Sequence, residues 1–99
     1  MEYVNIPKKV EIGGVDVDIN ECDLSGNAYG LCKISTGKIE IEKNQSESSK
    51  KNTFFHELTH SILYTMGEIE LFNNEKFVSS FSGFLTESLK KCVFIENNN

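Results

Sequence analysis

The chain has 99 residues, 38% of them hydrophobic and 25% charged, with a formal net charge of −5 and a pI near 5.0. That length and composition predict one small globular domain over residues 1–99, with a modest core to which a bound metal would add useful stability. The acidic balance argues against nucleic-acid binding, which needs a positive surface, and no apolar run or signal-peptide core interrupts it, so the expected setting is the cytoplasm, without a membrane.

Residues 1–45 read as mostly β. "KKVEIGGVDVDI" alternates Val10 and Ile12, then Val15, Val17 and Ile19, around Gly13-Gly14, which is a hairpin signal. "ECDLSGNAYG" is turn-rich at Ser25, Gly26 and Asn27. A second alternating pair, "YGLCKIS" and "KIEIEK", joins through Thr36-Gly37. About four short strands predict a small antiparallel sheet with one face buried. In "KNQSESSKK", Ser46 to Ser49 can cap a helix over 50–66 that stops at Gly67. The loop "EIELFN" then leads to a second helix over 74–93 and a tail, "ENNN". Strands followed by helix, loop and helix give an α+β fold class. Cys22, Cys32 and Cys92 form no C-x-x-C pair, which fits reduced thiols better than a disulfide framework or a thiolate zinc knuckle.

The chain's two histidines, His56 and His60, both fall in "TFFHELTHSIL", and Glu57 follows the first. At ~100° per residue the two imidazoles stand ~40° apart on a helix, one above the other. So placed, they can share one tetrahedral Zn²⁺ at ~2.0–2.1 Å. Glu57 points ~100° away from His56, too far round to be an obvious ligand but well placed to hold a water and act as general base. Helices carry histidines for ordinary reasons too. Yet two scattered at random in a chain with this many glutamates give H-E-x-x-H in roughly one arrangement in 400, which makes coincidence the weaker explanation. Phe55, Leu58, Ile62 and Met66 form an apolar stripe expected to face the core, with His56 and His60 at its border.

"TFFHELTHSI", Thr53 to Ile62, resembles the extended zincin signature at every position. Together with "IPKKVEIGG" at the start and "NNEKFVSSFSGFL" downstream, it makes the chain resemble the small phage and prophage metallopeptidase-like proteins allied to the ImmA/IrrE group and the minimal gluzincins. The resemblance implies a minimal zincin-like fold and a zinc-dependent metallopeptidase, phage or prophage encoded, acting on a peptide or protein substrate. It also implies that the strand before the zinc helix, here "GKIEIEK", lies beside the cleft and pairs with an extended substrate.

A catalytic zinc takes three protein ligands and keeps one position open. No third histidine exists, so a carboxylate must serve; the resemblance puts it downstream, among Glu68, Glu70, Glu75 and Glu87. Glu75 lies in the first turn of the second helix, where "NNEKF" resembles the opening of the gluzincin glutamate helix. It borders a stripe of Phe77, Val78, Phe81, Phe84, Leu85 and Leu89 that is expected to be buried. Small residues in line with it, Ser79, Ser82 and Thr86, would let the two helices approach. An acidic residue at a helix N-terminus is also favoured by the dipole alone, and Glu68 and Glu70 are the fallback ligands.

The expected set is therefore His56, His60 and Glu75 on Zn²⁺ with Glu57 as the catalytic base. Asn52, Ser79 and Ser82 are candidates to support the imidazoles. Larger members of the resembled group supply a Tyr or His to the oxyanion from a C-terminal subdomain, whereas this chain offers only Tyr64, Tyr29 and Tyr3. That shortage supports an alternative: a non-catalytic zinc-stapled binding or regulatory module acting on a host or phage protein.

Overall fold

Gly13 and Gly14 both take positive φ, 59° and 81°, as a two-residue hairpin turn of the kind that matches strand twist requires. They join β1 (Lys9–Ile12) to β2 (Val15–Cys22) in an antiparallel pair whose register sets Val10 opposite Val17. The chain is described here from a computed structural model covering residues 5–95. β3 (Gly30–Lys33) and β4 (Lys38–Glu42) form the second hairpin through a 3₁₀ turn, Ile34–Thr36, closed by Gly37 in the left-handed conformation. After the strands come α1 (Glu47–Met66), the short α2 (Ile69–Phe72) and α3 (Glu75–Lys90), so the fold is α+β as expected.

The sheet has four strands in the order β1-β2-β4-β3, and it is mixed rather than antiparallel because β2 and β4 run parallel. Ile39 and Ile41 on β4 are completely buried, which favours two strand neighbours for that segment. Residues 23–37 give the crossover length that a parallel pair needs, and β3 folds back on the outside. "GKIEIEK" is therefore an interior strand with both sides paired, so it has no free edge for the extended substrate that the resemblance implied; the edges are β1 and β3.

One face of the sheet packs on α1, and Val17, Ile19, Ile39, Ile41, Phe54 and Phe55 form the core between them. Ser46 caps α1 by accepting the Ser49 N–H at 3.1 Å, which starts the helix three residues before the expected Lys50. Gly67 (φ 80°) ends it where expected. The buried arc of α1 is not the apolar stripe alone. Phe55 is buried, but Ile62 and Met66 are exposed, while Thr53, Thr59 and Ser61 are buried. α1 lies between the sheet and α3, and its small side chains permit a close approach on both sides. Two threonine hydroxyls return to the helix: Thr59 donates to the Phe55 carbonyl at 2.7 Å and Thr65 to the Ser61 carbonyl at 2.9 Å.

α2 falls in the segment expected to be a loop, and it brings Phe72 back against α1. α3 begins at Glu75 because Asn74 accepts the Phe77 N–H at 3.0 Å. Its buried line is Val78, Ser82 and Thr86, with Leu85 and Leu89 reaching the core. Of the predicted aromatic stripe, Phe81 and Phe84 are instead 50% and 69% exposed, because the small side chains are what lie against α1.

Candidate metal centre

Three side chains converge where α3 begins beside the middle of α1. His56 and His60 stack along α1 with ring centroids 5.0 Å apart, the separation that i,i+4 spacing imposes. Glu75 reaches across from the first turn of α3. The His56 Nε2–H donates to Glu75 Oε1 at 3.0 Å, and the His60 Nε2–H donates to Oε2 at 3.0 Å and Oε1 at 3.3 Å. One ligand atom from each residue lies within 4.8 Å of the others, and this is the one such His/Cys/Asp/Glu grouping among the described residues. A tetrahedral ion with ~2.0–2.1 Å bonds holds its ligands roughly 3.3 Å apart. The Nε2 and carboxylate oxygens are spaced on that scale, so two imidazoles and a carboxylate are close enough to bind a metal ion.

Glu68 directly precedes α2 and Glu70 lies within it, while Glu87 belongs to the far end of α3; none of them joins the group. Glu75, chosen from sequence, is the carboxylate that does. The expected support of the imidazoles is not there. His60 Nδ1 is buried without a hydrogen-bond partner, and Ser82 gives its hydroxyl to the Ser79 carbonyl at 3.4 Å. With Nε2–H facing Glu75, that Nδ1 is an unused acceptor. Ligation through Nε2 would move the proton to Nδ1 and leave a buried donor unpaired, at a cost of about 1–3 kcal/mol. Phe72 instead packs edge-on to the His60 ring at 5.2 Å and also to Tyr64 at 5.6 Å.

Glu57 is buried on the neighbouring face of α1, towards the sheet. Burial pushes its carboxyl above the usual carboxylate range; positive charge on His56 and His60 pulls it down, and the Glu75 carboxylate adds to the rise. With His56 it lines a cleft of about 380 Å³, completed by Tyr29, Gly30, Ser49, Asn52 and Thr53. A buried carboxyl that lines such a cleft beside His56 is suited to exchanging a proton with a group bound there.

Of the three tyrosines, Tyr64 packs on Phe72, Tyr29 lines the cleft and Tyr3 lies outside the described residues. Sequence reasoning gave Tyr29 no position and overlooked Gly30 and Thr53. The only hint was the glycine at the start of a strand, which often marks close backbone approach. The cysteines are free thiols; Cys32 Sγ lies 2.9 Å from Ser61 Oγ, and burial pushes its thiol up. No helix among the described residues is long and apolar enough to cross a membrane. No protein-family model, curated protein or solved structure matches the chain.

Proposed function

We propose that the protein is a zinc-dependent metallopeptidase of the minimal zincin type. The observation that carries this reading is the convergence of His56, His60 and Glu75, with His56 and the buried Glu57 side by side in an open cleft. Zinc suits a site of two imidazoles and one carboxylate that leaves a coordination position free. When bound, the ion would supply Lewis acidity, polarising the scissile carbonyl and lowering the pKa of water towards ~7. His56, His60 and Glu75 would hold it. Glu57 takes the proton of the attacking water and then delivers it to the departing amine, so that the amine leaves neutral.

An extended peptide is oriented by the edge of β3. The Tyr29 carbonyl accepts the Glu42 N–H at 2.8 Å, so backbone groups at alternate residues from Tyr29 face β4. The N–H and C=O of Gly30 and Cys32 consequently face the open edge, next to Glu57, where a substrate strand can add. Tyr29 lines the same cleft, and its phenol would serve a developing oxyanion there.

The site also ties α3 to α1, which favours a second reading as a metal staple in a binding module. The two readings part at Glu57, which a staple does not need. Zinc-loaded protein should cleave an unfolded protein substrate, and Glu57→Gln should abolish the cleavage while keeping the metal. A zinc-loaded parent that cleaves no peptide, with Glu57→Gln indistinguishable from it, would leave the staple.

A further inference from the structure

The side of α1 that carries Glu57 is not an apolar stripe. Thr53, Glu57, Ser61 and Thr65 recur at four-residue spacing, and opposite them stand Gly30, Cys32 and Gly13. At Gly30 the approach is closest. A Cβ built there would lie 2.5 Å from Thr53 Cγ2, 3.1 Å from Glu57 Cγ and 3.2 Å from the Glu40 carbonyl oxygen. Gly30 is not among the glycines with positive φ, so its backbone would accept alanine. What excludes a side chain is space.

We propose that Gly30 is the positioning residue for Glu57: its bare Cα lets α1 rest against the edge of β3 and thereby fixes where the Glu57 carboxylate stands in the cleft. The functional half of this proposal rests on the reading of Glu57 as the general base. None of the neighbouring atoms is the free end of a flexible side chain. Thr53 is buried and β-branched, and its hydroxyl donates to Gln45 Oε1 at 3.4 Å. The Glu57 contact is at Cγ, upstream of the carboxylate, so displacing it moves the reacting group itself. The Glu40 oxygen belongs to the backbone of the central strand. To return the Thr53 contact to the ~3.5–4.0 Å of ordinary carbon contact, α1 must retreat there by about 1 Å, and Glu57, one turn further along the same helix, is carried with it. A shift of about 1 Å in a catalytic group costs on the order of 10²-fold in rate. His56 and His60 meet Glu75 on the side of α1 that faces α3, so metal binding is served by a different contact.

The test uses four zinc-loaded full-length proteins: the parent, Gly30→Ala, Thr53→Ser and the double variant. Thr53→Ser deletes the methyl that lies nearest the new Cβ and keeps the hydroxyl. Crystal structures and steady-state cleavage of an unfolded protein are the two readouts. In Gly30→Ala the Glu57 carboxylate should move by about 1 Å. Its kcat should fall on the order of 10²-fold with KM and zinc affinity unchanged. In the double variant, measured against Thr53→Ser alone, the carboxylate should return and most of the lost rate should be recovered; this protein also serves if Gly30→Ala does not fold. A Glu57 carboxylate that stays in place in Gly30→Ala would overturn the proposal. So would a loss of rate that only follows the folded fraction, or one that Thr53→Ser does not relieve. If the zinc-loaded parent cleaves nothing, the peptidase reading fails, and the crystallographic displacement decides the role of Gly30 by itself.

Discussion

Glu57→Gln separates the chemistry of the cleft from its architecture. The amide has nearly the shape of the carboxylate and keeps the Cγ that lies beside Gly30, so packing at this buried position is preserved. It cannot take a proton. Removing a general base lowers turnover by ~10²–10⁴, which at ~1.36 kcal/mol per factor of ten adds about 2.7–5.4 kcal/mol to the barrier. Stability should move the other way. Because burial raises the folded-state pKa of Glu57, the folded chain holds this proton more tightly than the unfolded chain. The associated stability is complete below the unfolded carboxylate pKa and is lost as pH rises through the raised folded value. At neutral pH the metal-free parent has therefore lost stability that the amide, which does not titrate, keeps. Metal-free Glu57→Gln should melt above the parent at pH 7, and the gap should close as the pH is lowered into the carboxylate range. The assays are turnover of an unfolded protein by the zinc-loaded pair and melting of the metal-free pair across pH. Equal turnover by parent and variant on a substrate the parent cleaves would refute the role given to Glu57. Loss of zinc from the variant would make Glu57 a ligand instead of a base.

Three further outcomes follow from the same contacts. Glu75→Ala should weaken zinc binding by about as much as His60→Ala does, whereas Glu87→Ala should leave the affinity at the parent value; titration with a competing chelator reads both. The parent's cleavage rate should rise with pH along an acid limb, because Glu57 must lose its proton before it can act. A rate that stays flat with pH through the acid range would count against that. Ile39→Ala empties a fully buried position on the central strand and should cost about 2–5 kcal/mol, seen as a lower denaturation midpoint in the metal-free protein.

The α+β class, both hairpins, the end of α1 at Gly67 and the His56–His60–Glu75 grouping were all legible in the sequence. Each rests on local rules: paired glycines at a turn, a serine before a helix, and two histidines separated by about one helical turn. Glu75 was legible for a different reason: it stands in the first turn of the second helix, in line with the small residues Ser79, Ser82 and Thr86 that let the two helices approach. What was misread depends on which elements become neighbours. "KIEIEK" alternates like an edge strand, but the complete burial of Ile39 and Ile41 comes from β2 and β3 flanking it, and period-two alternation does not say how many neighbours a strand has. Phe81 and Phe84 look like core residues by hydropathy and lie outside, because Ser82 and Thr86 let α3 sit closer to α1 than rings would. The role of Gly30 was invisible for the same reason. A missing side chain acquires meaning only once Thr53 and Glu57 are seen packed against it.

Metal binding by untagged protein is the most direct measurement of the central claim. Protein stripped with a chelator should take up one Zn²⁺ per chain on titration. Its melting temperature should rise with free zinc, as expected when an ion binds the folded state in preference to the unfolded one. Glu75→Ala, His56→Ala and His60→Ala should each blunt both effects. A folded chain that takes up no zinc, and whose melting temperature does not respond to it, would contradict the account.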